Sequence, residues 1–219
     1  SRPFNLATDK ESLVRHISGV NASSGVGISA ITSGPDPFAD EVTHLLLAFS
    51  ENPVAVIEMG KFKAEGDLAP LMDIMANPSK KIFHDAKPIL KFFRRMGISS
   101  RINLFDTMLA DKILSAGIDK KDQTLNLLAK EYLREPEIIG NLSAMAHDPA
   151  LYGYWAYETA VLLSLETVLS KRLEEAKLNP TAALEFDCVP AIAEMELNGM
   201  LLDRDKAQAQ RERLIPIKE

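Results

Sequence analysis

Val26-Gly27-Ile28-Ser29-Ala30-Ile31-Thr32, Thr43-His44-Leu45-Leu46-Leu47-Ala48-Phe49-Ser50 and Pro53-Val54-Ala55-Val56-Ile57-Glu58-Met59 decide the fold. Each has the length of a strand. The second carries an unbroken apolar run from Leu45 to Phe49, the composition of a strand buried on both faces. Ser33-Gly34-Pro35-Asp36-Pro37 and Glu51-Asn52-Pro53 are turn chemistry, so the three segments predict an antiparallel meander. Toward the N-terminus, Phe4-Asn5-Leu6-Ala7 predicts a short strand. Thr8 with Glu11 has capping-box spacing for a helix running to about Val20, and residues 21–25 form a turn cluster.

Downstream of Gly66 the rhythm changes to helix, strand, helix. Leu68, Leu71, Met72 and Met75 recur at helical spacing, Lys81-Ile82-Phe83-His84 predicts a short strand, and residues 87–96 a helix. Ile102-Asn103-Leu104-Phe105 predicts another short strand, feeding a helix over 106–115. Further helices are predicted over 122–133, 149–175 and 180–197, followed by a turn at Asn198-Gly199. Three strands followed by alternating helices and strands predict an α/β fold, a mixed sheet flanked by helices with a helical C-terminal part.

The chain has 219 residues, which at roughly 150 per domain is one full domain plus an extension. Apolar residues make up 46% and charged residues 26%, the proportions of an ordinary globular protein. No window approaches the roughly 18 apolar residues of a membrane span, so no membrane partner is expected. Ser1-Arg2-Pro3 is neither a signal peptide nor a natural start, which predicts a piece of something longer. The single cysteine, Cys188, excludes a disulfide framework and a Cys-rich zinc site and fits a reducing compartment. A net charge of -6 excludes a chain-wide basic surface, although not a local one.

Familiar catalytic patterns are scarce in the sequence. Gly25-Val26-Gly27 is too short for a phosphate loop and leads into a strand. His16, His44, His84 and His147 are scattered, with no His-x-x-x-His pair for zinc. Cys188 lies in an apolar helical stretch and is expected to fill core. Two local features stand out. Between Ser79 and Arg101 seven Lys or Arg residues face one Asp. Lys87, Lys91, Arg94 and Arg95 fall at i, i+4, i+7 and i+8, one basic stripe that is either a phosphate-contacting face or a solvated one. On the long helix, Tyr154 and Glu158 at i and i+4 face the same way, to serve a metal-bound water or simply to pack.

Phe105-Asp106-Thr107-Met108-Leu109-Ala110, Ile113-Leu114, Leu125, Leu128-Ala129 and Tyr132-Leu133 together resemble the 3'-5' exonuclease domain of bacterial-type family A DNA polymerases, such as DNA polymerase I. His84-Asp85-Ala86-Lys87 resembles the start of that family's second exonuclease motif. Glu185, Pro190, Met195-Glu196, Gly199 and Leu202-Asp203 resemble the segment leading into the polymerase thumb, which sets the polymerase branch apart from stand-alone relatives such as ribonuclease D. The resemblance implies a ribonuclease H-like fold. It also implies an exonuclease-like domain over 1–178, with 179–219 beginning a connection to a polymerase domain in the same chain. Implied with it are DNA as partner and a location in the bacterial nucleoid or in an organelle with a bacterial-type polymerase.

The family's chemistry uses four carboxylates around two divalent metals, with a Tyr orienting the attacking water. By the resemblance, Ser29 stands where the family has its first Asp, Ile31 where it has its Glu, and Ile89 at the Asp of the second motif. Tyr154 matches the Tyr, and Glu158 matches the last Asp, lengthened by a methylene. Asp85 lies four residues before the lost position and is expected to cap the following helix. Gly153 occupies the place of a variant His. Ser29 is at best a neutral ligand and the isoleucines cannot coordinate, so two closely spaced cations would go unbalanced. The expectation is a degenerate domain with no metal cofactor and no intact catalytic set, a structural platform or a weak DNA contact through Lys87, Lys91, Arg94 and Arg95. The alternatives are residual magnesium- or manganese-dependent exonuclease activity, with Asp36 or Asp40 the only spare acids near the first strand, and a protein-interaction module.

Overall fold

Strands that are apolar on both faces need cover on both, and the helices supply it. The computed structural model describes residues 3–17, 25–50, 52–62, 67–98, 102–116, 118, 123–134 and 151–215. Among the described residues six strands form one sheet: β1 (Phe4–Ala7), β2 (Val26–Thr32), β3 (Val42–Ala48), β4 (Val54–Glu58), β5 (Lys81–Phe83) and β6 (Leu104–Asp106). Their spatial order is β1-β4-β3-β2-β5-β6. The expected meander is present, with β2 antiparallel to β3 and β3 antiparallel to β4. β5 adds to β2 in parallel, and β6 to β5. The sheet closes at its other edge with β1 parallel to β4, Phe4 opposite Val54.

The helices are α1 (Lys10–Ile17), α2 (Ala69–Ala76), α3 (Ala86–Arg95), α4 (Thr107–Leu114), α5 (Leu125–Leu128), α6 (Tyr152–Glu175), α7 (Asn179–Asn198) and α8 (Arg204–Leu214). Strand alternation sorts side chains to the two faces. Leu46, Ala48, Val54 and Val56 pack under Trp155, Ala156 and Ala160 of α6. Leu45, Leu47, Ala55 and Ile57 join Leu13 of α1 and Leu71 and Met75 of α2 in the larger core. α6 sits hard against β2 at Gly27, where a Cβ would lie 2.9 Å from the Thr159 carbonyl oxygen and 3.4 Å from the Leu162 Cβ.

Several local expectations are corrected. The box that starts α1 is Asp9 with Ser12, not Thr8 with Glu11: the Ser12 N–H donates to Asp9 Oδ1 (2.7 Å), and the N–H groups of Thr8 and Asp9 donate to Ser12 Oγ (3.1 and 3.2 Å). Asp85 does not cap α3. Its backbone is left-handed (φ 56°) and its side chain makes no capping bond. Asp106 does that work for two helices, its carboxylate accepting from Ala86 (2.7 Å) and Asp85 (3.2 Å) at the start of α3 and from Met108 (2.9 Å) and Leu109 (3.1 Å) in α4.

The helix expected over 122–133 is short. α5 continues as one π-helical turn, Ala129–Leu133, and that turn carries Tyr132 to Asp111, a fully buried carboxylate, with 2.5 Å between Tyr132 Oη and Asp111 Oδ1. Cys188 is exposed, because α7 turns Ala182, Phe186, Val189 and Ala193 to the core instead. The expected turn at 21–25, apart from Gly25, and the start of the helix expected from 149 lie outside the described residues, as does His147.

Candidate functional site

The residues implied by the resemblance lie on β2, on the N-terminal half of α6, which packs on β2, and on α3. β2 exposes Gly27, Ser29 and Ile31 on one face, alternating with Val26, Ile28 and Ala30. Gly27 meets Thr159 and Leu162, so this is the face toward α6. Ser29 sits opposite Leu46 in the β2–β3 ladder, and Ile31 packs into the cluster of Leu46, Val56 and Trp155. Tyr154 and Glu158 stand one turn apart on α6, just N-terminal to Thr159. β5 runs parallel to β2, with Gly27 opposite Ile82, so α3 starts beside the far half of β2. Its Ile89 is half-buried and packs against the larger core. The fold thus sets Ser29, Ile31, Tyr154 and Glu158 about one strand–helix contact, with Ile89 on the neighbouring helix.

Glu158 is the unusual member. It is half-buried and makes no hydrogen bond or ion pair among the described residues. Burial alone pushes its carboxyl up to about 7, because a charge removed from water has nothing there to compensate it. Two divalent ions need several anionic oxygens. Among the described residues no three His, Cys, Asp or Glu side chains gather as a ligand set, and Ile31 and Ile89 bring only hydrocarbon. These side chains do not fit the two-metal arrangement. The spare acids are occupied in the β2–β3 turn: the Asp40 carboxylate accepts from Ser33 Oγ (3.1 Å) and the Asp36 N–H (2.9 Å), and Asp36 accepts from the Phe38 N–H (2.8 Å).

Beside this site lies a polar network that the sequence alone did not disclose. His84 Nε2 is 2.9 Å from the Gln123 carbonyl and Nδ1 2.9 Å from Thr107 Oγ1. Burial lowers the His84 pKa and favours the neutral ring. Gln123 donates to Asp111 (2.9 Å), and the Arg172 guanidinium lies over the Tyr132 ring at 4.7 Å. Burial, followed by the neighbouring Asp106 charge, raises the Asp85 carboxyl. The only sequence signal was the clustering of His84, Asp85, Asp106 and Asp111 around two strand ends.

The basic stripe is neither bare nor simply solvated. Lys87 and Lys91 pair with the two oxygens of Glu196 at 2.7 and 2.8 Å, and Arg94 with Glu194 at 3.1 Å. Arg95 donates to the Pro37 carbonyl and lies over the Phe38 ring. The two ammonium groups hold Glu196 at a pKa of about 2.

No family model matches the chain, and no curated protein does. Solved structures do. The chain is similar to Brucella melitensis NrnC bound to pGG, at 21% identity, covering 91% of this chain and 95% of that one with a TM-score of 0.71. It is similar to the POL domain of Pol1 from M. smegmatis in complex with DNA primer-template and dNTP, at 19% identity, over 97% of this chain and 35% of that one, TM-score 0.77. The catalytic core of RRP6 from Trypanosoma brucei matches at 16% identity, over 87% of this chain and 52% of that one, TM-score 0.72. The fold is therefore that of the 3'-5' exonuclease domains, a ribonuclease H-like mixed sheet flanked by helices. Among the described residues no helix is long and apolar enough to cross a membrane.

Proposed function

We propose that this chain is a degenerate 3'-5' exonuclease domain, one that keeps the fold, has lost two-metal catalysis, and serves as a structural platform or weak DNA contact within a family A DNA polymerase. The observation that carries this reading is the apolar character of the β2 face toward α6, where the half-buried Ile31 packs against the cluster of Leu46, Val56 and Trp155; by the resemblance, Ser29 and Ile31 stand where the family has its acids. The solitary Glu158, half-buried with no partner among the described residues, supports the same conclusion. A polymerase parent is supported by the M. smegmatis match, which reaches 97% of this chain against 91% for NrnC and 87% for RRP6. On this reading residues beyond about 178 lead toward a following polymerase domain. α7 also packs on α3, so the connection begins as part of the exonuclease-like body.

The test is degradation of a 3'-labelled single-stranded oligonucleotide by the purified chain with magnesium, manganese or chelator. The expected result is no ladder in any of the three. A metal-dependent ladder that disappears in Glu158→Ala would overturn the reading in favour of residual exonuclease activity.

A further inference from the structure

The cations of α3 are already holding anions. One carboxylate, Glu196, bridges Lys87 and Lys91, which stand one turn apart, and Glu194 engages Arg94 on the next turn. Two acids in the last turns of α7 therefore lie along the same row of positive charge that a phosphodiester backbone would follow, offering the same kind of charge-assisted oxygen acceptor. The cations are not sealed off. Their side chains are 40%, 20% and 53% exposed, and Glu196 is 39% exposed.

The segment bearing those acids buries few of its side chains. Pro190 lies inside α7 and has no N–H to give the preceding turn, which breaks the helix ladder at that point. Before it, Ala182, Phe186 and Val189 are buried; after it, only Ala193 is. Ile192 and Met195 are exposed, and residues 198–215 are exposed throughout, including every residue of α8. Among the described residues, 191–198 are thus held to the body by the packing of α7 on α3, with Ala193 buried and Leu197 half-buried, and by three partly exposed ion pairs that are individually weak and sensitive to salt.

We propose that the end of α7 is an acidic latch on the basic stripe: Glu194 and Glu196 compete with the backbone of a single-stranded nucleic acid for Lys87, Lys91 and Arg94, and binding requires residues 191–198 to release. This rests on the reading of the domain as a DNA contact. Arg95 is not part of the latch, since it holds the β2–β3 turn through Pro37 and Phe38.

The experiment compares the affinity of a fluorescent single-stranded oligonucleotide for the wild-type chain, for Glu194→Gln/Glu196→Gln, and for Glu174→Gln/Glu175→Gln. The last removes the same charge at the exposed end of α6. The latch variant should bind roughly tenfold more tightly, the sum of three weak pairs, while the control gains little. Adding Lys87→Glu, Lys91→Glu and Arg94→Glu to the latch variant should abolish the gain. In the wild type, oligonucleotide should raise amide hydrogen exchange over 191–198, a readout that merely structural pairing would leave unmoved. If DNA binds but the latch and control variants match and exchange over 191–198 does not change, the latch is overturned and the DNA contact stands. If no form of the chain binds DNA, both fall together.

Discussion

Replacing Glu158 by Gln removes a titration and little else, since the two side chains have nearly the same shape. The carboxyl lies at about 7 in the folded chain against an ordinary value of 4.5, with burial as the cause. The folded state therefore holds a proton that the unfolded chain has released between those two values. Stability contributed by the protonated carboxyl is complete below about pH 4.5 and is lost as pH rises through about 7. The separation corresponds to roughly 3 kcal/mol, and the residual exposure of the side chain brings the expected loss to between about 1 and 3 kcal/mol. That is a sizeable share of a typical domain's stability. Urea denaturation of wild type and Glu158→Gln at pH 4.5, 5.5, 6.5 and 8 measures it. The two should coincide at pH 4.5, and the variant should be the more stable at pH 8. A difference between them that does not change with pH would refute the reasoning. Magnesium adds a second arm: a site that binds the ion would recover wild-type stability at pH 8, whereas a vacated one leaves the curves where they were.

Two further outcomes follow from the same geometry. Asp106→Ala leaves four backbone N–H groups at two helix starts without their acceptor, and should cost about 2–4 kcal/mol in urea or thermal melts, with Asp106→Asn intermediate. Installing the family's acids as Ser29→Asp, Ile31→Glu and Ile89→Asp should destabilise the metal-free chain by several kcal/mol, because a charge then enters an apolar cluster. Manganese should recover part of that stability and bring 3'-end degradation, and a melting temperature indifferent to the metal would show that these positions do not converge on one site.

The strands were legible because alternation and turn chemistry are local. β2 begins and ends at the residues its pattern marks, and Leu46 and Leu47 go to opposite faces as the pleat requires. The parallel pairing of β1 with β4 was not, because nothing in Phe4-Asn5-Leu6-Ala7 names a partner fifty residues away. Asp85 sits where a helix cap is expected by spacing, yet Asp106 takes the role from across the sheet, a competition between carboxylates that only the three-dimensional neighbourhood decides. Cys188 lies in a stretch with apolar residues on both sides of the helix, so composition did not reveal which side faces the core. The basic stripe was visible as a row of charge. Its partners were not, since Glu194 and Glu196 come from a helix a hundred residues downstream.

At the candidate site the fold and the chemistry rest on different atoms. What seats α6 on the sheet is the missing Cβ of Gly27, the packing of Trp155, Ala156 and Ala160 on β3 and β4, and the buried Thr159, none of which needs a carboxylate. Ile31 packs against the same cluster, as hydrocarbon can where like charges would repel. Glu158 is the exception at this contact, a carboxylate whose burial works against its ionisation. The architecture therefore does not depend on carboxylates at this contact, and the cost of burying one is concentrated in Glu158, where a pH titration of stability can find it.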